Sequence, residues 1–307
     1  MYGFDSYVAI GDSFTEGLND GLPDGTFRGW ADRLAGLLAG GRSEFKYANL
    51  SLRGKMLDEI IDEQLPIALE LKPDLVTLCA GGNDIIVPGA DVDAVAARFE
   101  AGVAALRAAG IPVLIFNGPD TKQLSVMHVL RGKVGIYNAH LWAIADRHGA
   151  RMVDLWAMDP LHDRRAWSGD RLHFTPEAHR RIALRTAEVL GVPVDGDWRE
   201  PWPESEEPST WITSRRSDLE WTKVHLLPWI RRQLKGESMG DGLSPKRPEL
   251  APFLPIVPAE VATGIEPTVV PDRPADAMMT DIASSAPANW TAGSRLEGVQ
   301  QPHGGLR

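Results

Sequence analysis

The stretch Tyr7-Val8-Ala9-Ile10-Gly11-Asp12-Ser13 joins a short apolar run directly to a polar turn. A run without polar alternation is typical of a strand that is covered on both faces, as in a parallel sheet. The glycine permits a sharp turn out of the sheet, and the serine then stands where a helix begins. The positive end of a helix dipole favours negative charge that develops beside the serine oxygen. The same residues would also suit an ordinary turn with a capping serine, so the interpretation depends on the rest of the chain.

Outward from this stretch, short apolar runs alternate with longer helical patterns. Four further strands are predicted, at residues 45–50, 75–80, 112–117 and 151–155. Helix-length segments are predicted at residues 29–38, 56–71, 91–109 and 134–148. A last helix is predicted from the cap Thr175 and Pro176 to about Leu190, with Gly191 as its stop. This alternation indicates an α/β fold with a central parallel sheet and helices on both faces.

The composition argues against several classes of function. The chain of 307 residues is 43% hydrophobic and 24% charged, as expected for a globular protein with a sizeable core. Its net charge of -10 argues against general nucleic-acid binding, which needs a basic face. Its one cysteine, Cys79, cannot form an intrachain disulfide, and its apolar neighbours predict an inert core residue. The chain start has no leader pattern, and no apolar run reaches the roughly 18 residues of a membrane span, so we expect a cytoplasmic protein.

The composition changes after the last predicted helix of the core. We expect a catalytic domain over residues 1–195, then a linker and an amphipathic helix over residues 196–240. Residues 241–307 are predicted to form a disordered Pro/Ala-rich tail, because 10 of the 23 prolines lie in the last 72 residues. Helical spacing returns at residues 217–235, where Trp221 and Trp229 stand among basic residues. Docking of this helix on the catalytic domain is favoured over membrane contact, because Pro228 weakens its amphipathic pattern.

Three further motifs carry chemistry. Gly81-Gly82-Asn83-Asp84 follows the strand at 75–80, so Asn83 could donate a side-chain N–H to an oxyanion at the carboxyl edge of the sheet. Asp170-Arg171-Leu172-His173 precedes the last helix, and a carboxylate three residues before a histidine can bend back to one ring nitrogen. Gly54 follows the strand at 45–50, where its backbone N–H could also face the site. Each motif alone also suits an ordinary turn or surface polarity.

Together, these residues occur in the order Ser, Gly, Asn, His, and the chain here resembles the SGNH hydrolase superfamily, also called the GDSL lipases and esterases. The resemblance covers about residues 7–191. Ser13 matches the family's block-one serine, Asn83 the block-three asparagine, and Asp170 with His173 the block-five Asp-Xaa-Xaa-His. Gly54 is similar to the block-two glycine mainly by position. Phe14 stands where the family has leucine, at a position that is not catalytic.

The resemblance implies a flavodoxin-like three-layer α/β/α fold and an esterase that needs no metal or cofactor. It implies that Ser13 is the nucleophile, His173 the general base and Asp170 the residue that orients the histidine. It also implies an oxyanion hole made by the backbone N–H groups of Ser13 and Gly54 and the side chain of Asn83. The expected partner is a small-molecule ester with a small or medium acyl group. No oligomeric state is predicted.

Other readings are weaker. The nucleophile elbow Gly-Xaa-Ser-Xaa-Gly of α/β-hydrolases is broken here by Thr15, and the phosphate-binding motifs Gly-Xaa-Gly-Xaa-Xaa-Gly and Gly-Xaa-Xaa-Xaa-Xaa-Gly-Lys are absent. His162, His173 and His179 have no recognised metal-ligand spacing. The alternative from another class is a non-catalytic SGNH-like binding or scaffold module, which degenerated catalytic positions would support. All five proposed positions are intact.

Overall fold

Six strands form one mixed sheet in a computed structural model, which describes residues 3–124, 127–204, 240 and 242–253. In chain order they are β1 Ser6–Gly11, β2 Lys46–Asn49, β3 Val76–Cys79, β4 Val113–Phe116, β5 Arg151–Val153 and β6 Arg247–Pro252. The order across the sheet is β5-β4-β3-β1-β2-β6. The first five strands pair in parallel, and β6 pairs antiparallel with β2. The parallel part therefore has the order 2-1-3-4-5 of a flavodoxin-like sheet, as expected.

Helices cover both faces of this sheet. They are α1 Ser13–Glu16, α2 Gly29–Ala39, α3 Leu57–Glu59, α4 Leu65–Leu71, α5 Gly82–Ile86, α6 Val92–Ala108, α7 Arg131–His148 and α8 Pro176–Leu190. A π-helical turn, Ile60–Gln64, joins α3 to α4, so the predicted helix over 56–71 is continuous but widened in its middle. The π turn places the Gln64 side chain against β1, where its amide donates to Gly11 O and accepts from Gly11 N.

The alternation of side chains along β1 explains the two layers. Val8 and Ile10 enter one core together with α3, α4, α6 and α7, whereas Tyr7 and Ala9 enter the other with α2 and α8. All four residues are fully buried. Because successive strand side chains point to opposite faces, a run without polar residues must be covered on both sides. The caps predicted for the last helix are confirmed, since the Thr175 side chain accepts from Ala178 N and Gly191 ends the helix with φ 74°.

The strand β6 corrects one expectation. Residues 247–252 lie in the range for which a disordered tail was predicted, and for these residues that prediction is wrong. Pro248 and Pro252 are tolerated because β6 is an edge strand, where a missing N–H costs no central ladder bond. Phe253, which follows β6, is buried and packs its ring edge-on to Tyr47 with centroids 5.6 Å apart. The other predicted boundaries, at 195 and 240, stay predictions, and the predicted helix at 217–235 lies outside the described residues.

The carboxyl ends of the parallel strands position the candidate site. The chain passes from β1 outward to β2 and then returns across β1 to β3, so the connections diverge at the β1/β3 boundary. Ligands of open α/β sheets bind at such a switch point. Ser13 follows β1 and Asn83 follows β3, on the two sides of this crevice. Within the described residues, no helix combines the length and apolar character needed to cross a membrane.

Candidate active site

The turn after β1 places Ser13 at the start of a helix. Gly11 has φ 156°, and a Cβ there would lie 2.5 Å from Cys79 O and 2.5 Å from Thr15 Oγ1, so only glycine fits. Asp12 then caps α1, because its side chain accepts from Phe14 N at 3.0 Å. Burial raises the pKa of Asp12 to about 6. Ser13 is therefore the first residue of α1, directly after a required glycine and a buried carboxyl group.

The residues predicted as nucleophile, general base and orienting carboxylate are in direct contact. Ser13 Oγ lies 2.9 Å from His173 Nε2, and His173 Nδ1 lies 2.8 Å from Asp170 Oδ2. Because a carboxylate only accepts, Nδ1 carries the donated proton and Nε2 is left to accept from the Ser13 hydroxyl. Ser13 and His173, which are 160 positions apart in the chain, are thus joined with Asp170 in one hydrogen-bonded relay.

The Asp170 carboxylate is held by several donors. Its Oδ1 accepts from His173 N at 3.0 Å, Leu172 N at 3.1 Å and Ser168 Oγ at 2.8 Å. Burial acts to raise the pKa of Asp170, but the hydrogen bond and charge of His173 and the two backbone donors outweigh it. The pKa of Asp170 therefore lies well below its ordinary value. This carboxyl group stays ionised wherever His173 can act as a base.

Asn83 lies in the first turn of α5 and is 8% exposed. One of its two side-chain N–H bonds donates to Lys55 O at 2.9 Å, next in sequence to Gly54. The adjacent Asp84 accepts from Leu57 N at 3.0 Å. The turn after β3 is therefore tied to the segment that carries Gly54, which has φ 80°. This leaves the second N–H of Asn83 for a ligand, as the predicted oxyanion hole requires.

An ion pair with a buried glutamate links this segment to α1, the helix that begins at Ser13. Glu16 of α1 is 6% exposed and accepts from Arg53 N at 2.7 Å and from the Arg53 guanidinium. Arg53 directly precedes Gly54, so the position of the Gly54 backbone follows that of α1. The guanidinium also lies 4.8 Å from the centre of the Phe27 ring. Neither Glu16 nor Arg53 belongs to a motif that predicts this contact.

The site opens into a cavity of about 170 Å³ with mostly apolar walls. Ser13, Asn83 and His173 line one part of it. Six apolar side chains of a separate small cluster line it as well: Leu124, Met127, Ile86, Leu130, Trp167 and Leu172. Leu130 also packs against the first sheet core and Trp167 against the second, so this cluster joins the cavity wall to both layers. The arrangement suits a ligand with a reacting polar end and an apolar chain.

Phe14, the departure from the family's leucine, packs within an aromatic cluster. Its ring lies 5.5 Å from Trp30, 5.5 Å from Phe174 and 6.1 Å from Phe116, measured between centroids. The substitution is therefore accommodated by aromatic packing behind the nucleophile.

Asn19 makes contacts in the site that the sequence did not predict. Its side-chain nitrogen donates to Asp170 Oδ2 at 2.8 Å and to Ser168 Oγ at 2.6 Å, so it joins the loop after α1 to the loop that carries Asp170. A single asparagine in a loop carries no periodic or spacing signal. Its position after the Gly11–Ser13 turn is the one available hint.

Other predicted features are placed as follows. Cys79 ends β3 beside Asp12, and burial raises the pKa of its thiol well above the ordinary value. His179 lies in the core, away from the triad contacts, and His162 contacts Trp156 O. Among the described residues, no group of three or more histidine, cysteine or acidic side chains could hold a metal ion.

Comparisons with solved structures agree with this fold. An alpha/beta hydrolase enzyme from the metagenome of Lake Arreo, Spain, is 19% identical with a TM-score of 0.53, covering 62% of this chain and 98% of that one. A variant of an acetyl xylan esterase from Geobacillus stearothermophilus is 17% identical with a TM-score of 0.53, covering 64% of this chain and 100% of that one. The protein TesA is 21% identical with a TM-score of 0.51, covering 60% and 97%. At these identities the likeness shows the fold alone.

Sequence comparison gives a partial match and a family. A stretch of 134 residues is 31% identical to a protein named pyridoxine 5'-phosphate synthase from Synechococcus sp. (strain RCC307). The match covers 40% of this chain and spans 44% of that protein, less than half of its length. The family model described as GDSL-like lipase/acylhydrolase matches residues 9–181, which include Ser13, Gly54, Asn83, Asp170 and His173. Since that match covers more than half of the sequence, the chain belongs to the GDSL-like lipase/acylhydrolase family.

Proposed function

We propose that the protein hydrolyses carboxylic esters with Ser13 as nucleophile, through an acyl-enzyme intermediate. The observation that carries the proposal is the relay of Ser13 Oγ, His173 and Asp170, with contacts of 2.9 and 2.8 Å, at the wall of an apolar cavity. A serine hydroxyl is a weak nucleophile unless a base accepts its proton as it attacks. His173 Nε2 is within the distance that such a transfer needs.

In the first half of the reaction, Ser13 Oγ attacks the acyl carbonyl carbon and its proton passes to His173 Nε2. The negative charge that forms on the carbonyl oxygen would be met by N–H groups of Ser13, Gly54 and Asn83. The bond to the alcohol oxygen then breaks, and His173 returns the proton to that oxygen. Asp170 stabilises the imidazolium that exists between these two transfers.

In the second half, water takes the place of the alcohol. His173 removes a proton from the water, whose oxygen attacks the acyl carbon, and the carboxylic acid leaves as Ser13 Oγ regains its proton. Each proton taken is given back, so the cycle consumes one ester and one water and needs no added cofactor.

The nucleophile is tested by labelling with a fluorophosphonate probe, which modifies activated serines. We expect labelling and ester hydrolysis in the wild-type protein, and loss of both in Ser13→Ala. The control is Ser43→Ala, which removes an exposed serine before the amino end of β2 and should change neither. Hydrolysis that persists in a folded Ser13→Ala protein would contradict the proposal.

The acyl part of the substrate is proposed to be small or medium in length. A cavity of about 170 Å³ is smaller than the roughly 300–1,000 Å³ of pockets that enclose whole drug-sized ligands, so it suits part of a substrate rather than a long lipid tail. Each methylene group that leaves water gains about 0.8 kcal/mol, or roughly a fourfold change in binding. Acetyl esters would leave the Leu124 and Met127 side of the cavity unfilled.

Chain-length selectivity follows from this argument. With nitrophenyl esters, we expect kcat/KM to rise from acetyl to a medium chain and to fall for palmitoyl. Leu124→Trp, which fills the cavity, should lower turnover of the medium chain while turnover of the acetyl ester is retained. A flat profile, or equal loss for all esters in the variant, would exclude this cavity as the acyl site and leave the serine mechanism intact.

The alternative function, a non-catalytic binding or scaffold module, makes a different prediction for the same experiments. A binding module would give no labelling of Ser13 and no turnover of any ester. The intact relay and the apolar cavity beside it favour the enzyme.

A further inference from the structure

Asn19 joins the two loops that carry the proposed chemistry. It lies three residues after the end of α1, in the connection from α1 to α2, and its Nδ2 donates to Ser168 Oγ and Asp170 Oδ2 at 2.6 and 2.8 Å. These contacts span 149 and 151 residues of the chain. An asparagine amide has two N–H bonds, so both contacts can form at once.

The oxygen that Asn19 contacts is the one that faces the histidine. Asp170 Oδ2 accepts from His173 Nδ1 and from Asn19 Nδ2, each at 2.8 Å. The other oxygen, Oδ1, accepts from Ser168 Oγ, which is itself the second acceptor of Asn19. Asn19 thus acts on both sides of the carboxylate, directly on Oδ2 and through Ser168 on Oδ1. A rotation of the carboxylate away from His173 would break both contacts.

The backbone that presents Asn19 is held firmly. Asn19 has φ 71°, a left-handed conformation that asparagine tolerates better than most residues. The preceding Leu18 O accepts from His179 Nε2 at 3.2 Å. The following Asp20 is 1% exposed and accepts from Arg33 Nε at 2.9 Å and from Gly29 N at 3.1 Å. Strained conformations that the surroundings hold in place are frequent at functional sites.

We propose that Asn19 is a positioning residue for the reaction, which keeps the Asp170 carboxylate aligned on His173. This inference rests on the proposed function. Asn19 does not touch the substrate, because the walls of the cavity beside Ser13 are built by other residues of the described chain. Its effect is therefore expected on kcat and not on KM. A hydrogen bond to a charged group is worth about 1.5–3 kcal/mol, which corresponds to roughly a tenfold to hundredfold change in rate.

Asn19→Gly is the sharpest variant, because glycine accepts the left-handed backbone without strain. We expect kcat to fall by roughly tenfold to a hundredfold, with KM unchanged, in a protein that urea unfolding shows to be folded. The matched control is Lys72→Gly. Lys72 also has a positive φ, 47°, but it precedes β3 at the opposite edge of the sheet. This control should leave both kcat and KM unchanged.

Asn19→Asp adds a readout that a purely structural role would not move. Its carboxylate would face the Asp170 carboxylate, and two such groups at this distance share one proton. Acidification restores a donor, so the ratio of wild-type to variant kcat should shrink from pH 8 to pH 5.5. For Asn19→Gly the same ratio should stay flat. Asp12, His179, and Asp20 with its partners Arg28 and Arg33 are common to both proteins and make no direct contact with the Asp170 carboxylate. His173 contacts Asp170 directly, so it belongs to the same coupled group as the new carboxylate.

The outcomes separate this inference from the proposed function. If Ser13→Ala and His173→Ala abolish hydrolysis while Asn19→Gly keeps the wild-type kcat, the positioning role is wrong and the serine mechanism stands. If Asn19→Asp shows a flat ratio with pH, direct action on Asp170 is wrong. If Ser13→Ala retains activity, the proposed function itself fails. Loss of kcat in Asn19→Gly together with the pH-dependent ratio in Asn19→Asp would support the role.

Discussion

At the scale of single residues, Asn83 is the side chain outside the relay for which the largest effect on turnover is expected. One of its N–H bonds is committed to Lys55 O, which fixes the amide plane, and the other is the proposed donor to the oxyanion. A donor that is already oriented needs no reorganisation when charge develops on the substrate. The same contact stabilises the turn that carries Gly54, so Asn83 has a structural and a proposed chemical part.

Asn83→Ala, measured for both turnover and stability, distinguishes the structural role of Asn83 from its proposed chemical role. We expect kcat to fall by roughly a hundredfold to a thousandfold, because one oxyanion donor is lost. Steady-state kinetics measure the fall, and thermal unfolding shows whether the protein remains folded. Asn83→Asp keeps the size of the side chain but cannot donate when ionised, and it should be impaired as well. Near-normal turnover in a folded Asn83→Ala protein would refute the assigned role.

At the scale of elements, α8 is joined to the nucleophile side of the site through His179. This residue is 1% exposed, its Nε2 donates to Leu18 O, and its Nδ1 accepts from Trp30 N, both at 3.2 Å. The neutral ring satisfies both contacts, whereas a protonated ring would have no acceptor for the Trp30 N–H. Burial lowers the pKa of His179 to about 4.

Stability should therefore fall on acidification. The pKa of His179 is lower in the folded chain than its ordinary value of 6.5, so the unfolded chain binds the proton first as the pH falls. The contribution is fully present above pH 6.5 and is lost progressively toward pH 4. Between pH 7 and pH 5 we expect a loss of about 2 kcal/mol, measured by urea unfolding. His179→Gln, which does not titrate, should lack this component, and an equal pH dependence in both proteins would contradict the prediction.

At the scale of the whole molecule, a segment beyond the family match completes the sheet. The family model ends at residue 181, yet β6 extends the sheet at β2 and Lys246 reaches under α2. Lys246 Nζ contacts Asp32 Oδ1, Phe27 O and Arg28 O, each at 2.8 Å. Burial lowers the pKa of Lys246, against the pull of Asp32. The loop that leads from α1 to α2 is thus held by residues from the C-terminal part of the chain.

Phe253→Ala tests how much this closure contributes. Phe253 is 4% exposed, and its backbone N donates to Phe45 O at 2.7 Å. Loss of a buried phenyl ring typically costs about 3–5 kcal/mol, so we expect a large drop in the free energy of unfolding in urea. Glu249→Ala, on the exposed side of β6, is the control and should change stability little. A small effect for Phe253→Ala would mean that β6 is dispensable.

Much of the central fold was predictable because its signals are local. The strands at 7–10, 75–80 and 112–117 are apolar runs whose chemistry requires burial, and turns follow them at the positions that glycine marks. Ser13, Asn83 and His173 could be placed together because parallel strands end at one edge of a sheet. β6 was not predicted, because its prolines are typical of a disordered segment. They are tolerated because β6 is an edge strand, which pairs with β2 on one side alone.

The succession of core strands and helices along the chain follows from its local chemistry, and the roles proposed for Ser13, Asp170 and His173 follow from motifs that resemble those of a family. Three features do not: the antiparallel edge strand, the ion pair of Glu16 with Arg53, and the hold of Asn19 on Asp170. Each joins residues far apart in sequence, and the free energy that favours each contact arises when the surrounding elements have already packed. No local pattern of side chains predicts such a contact, since its partners are neighbours only in the folded chain.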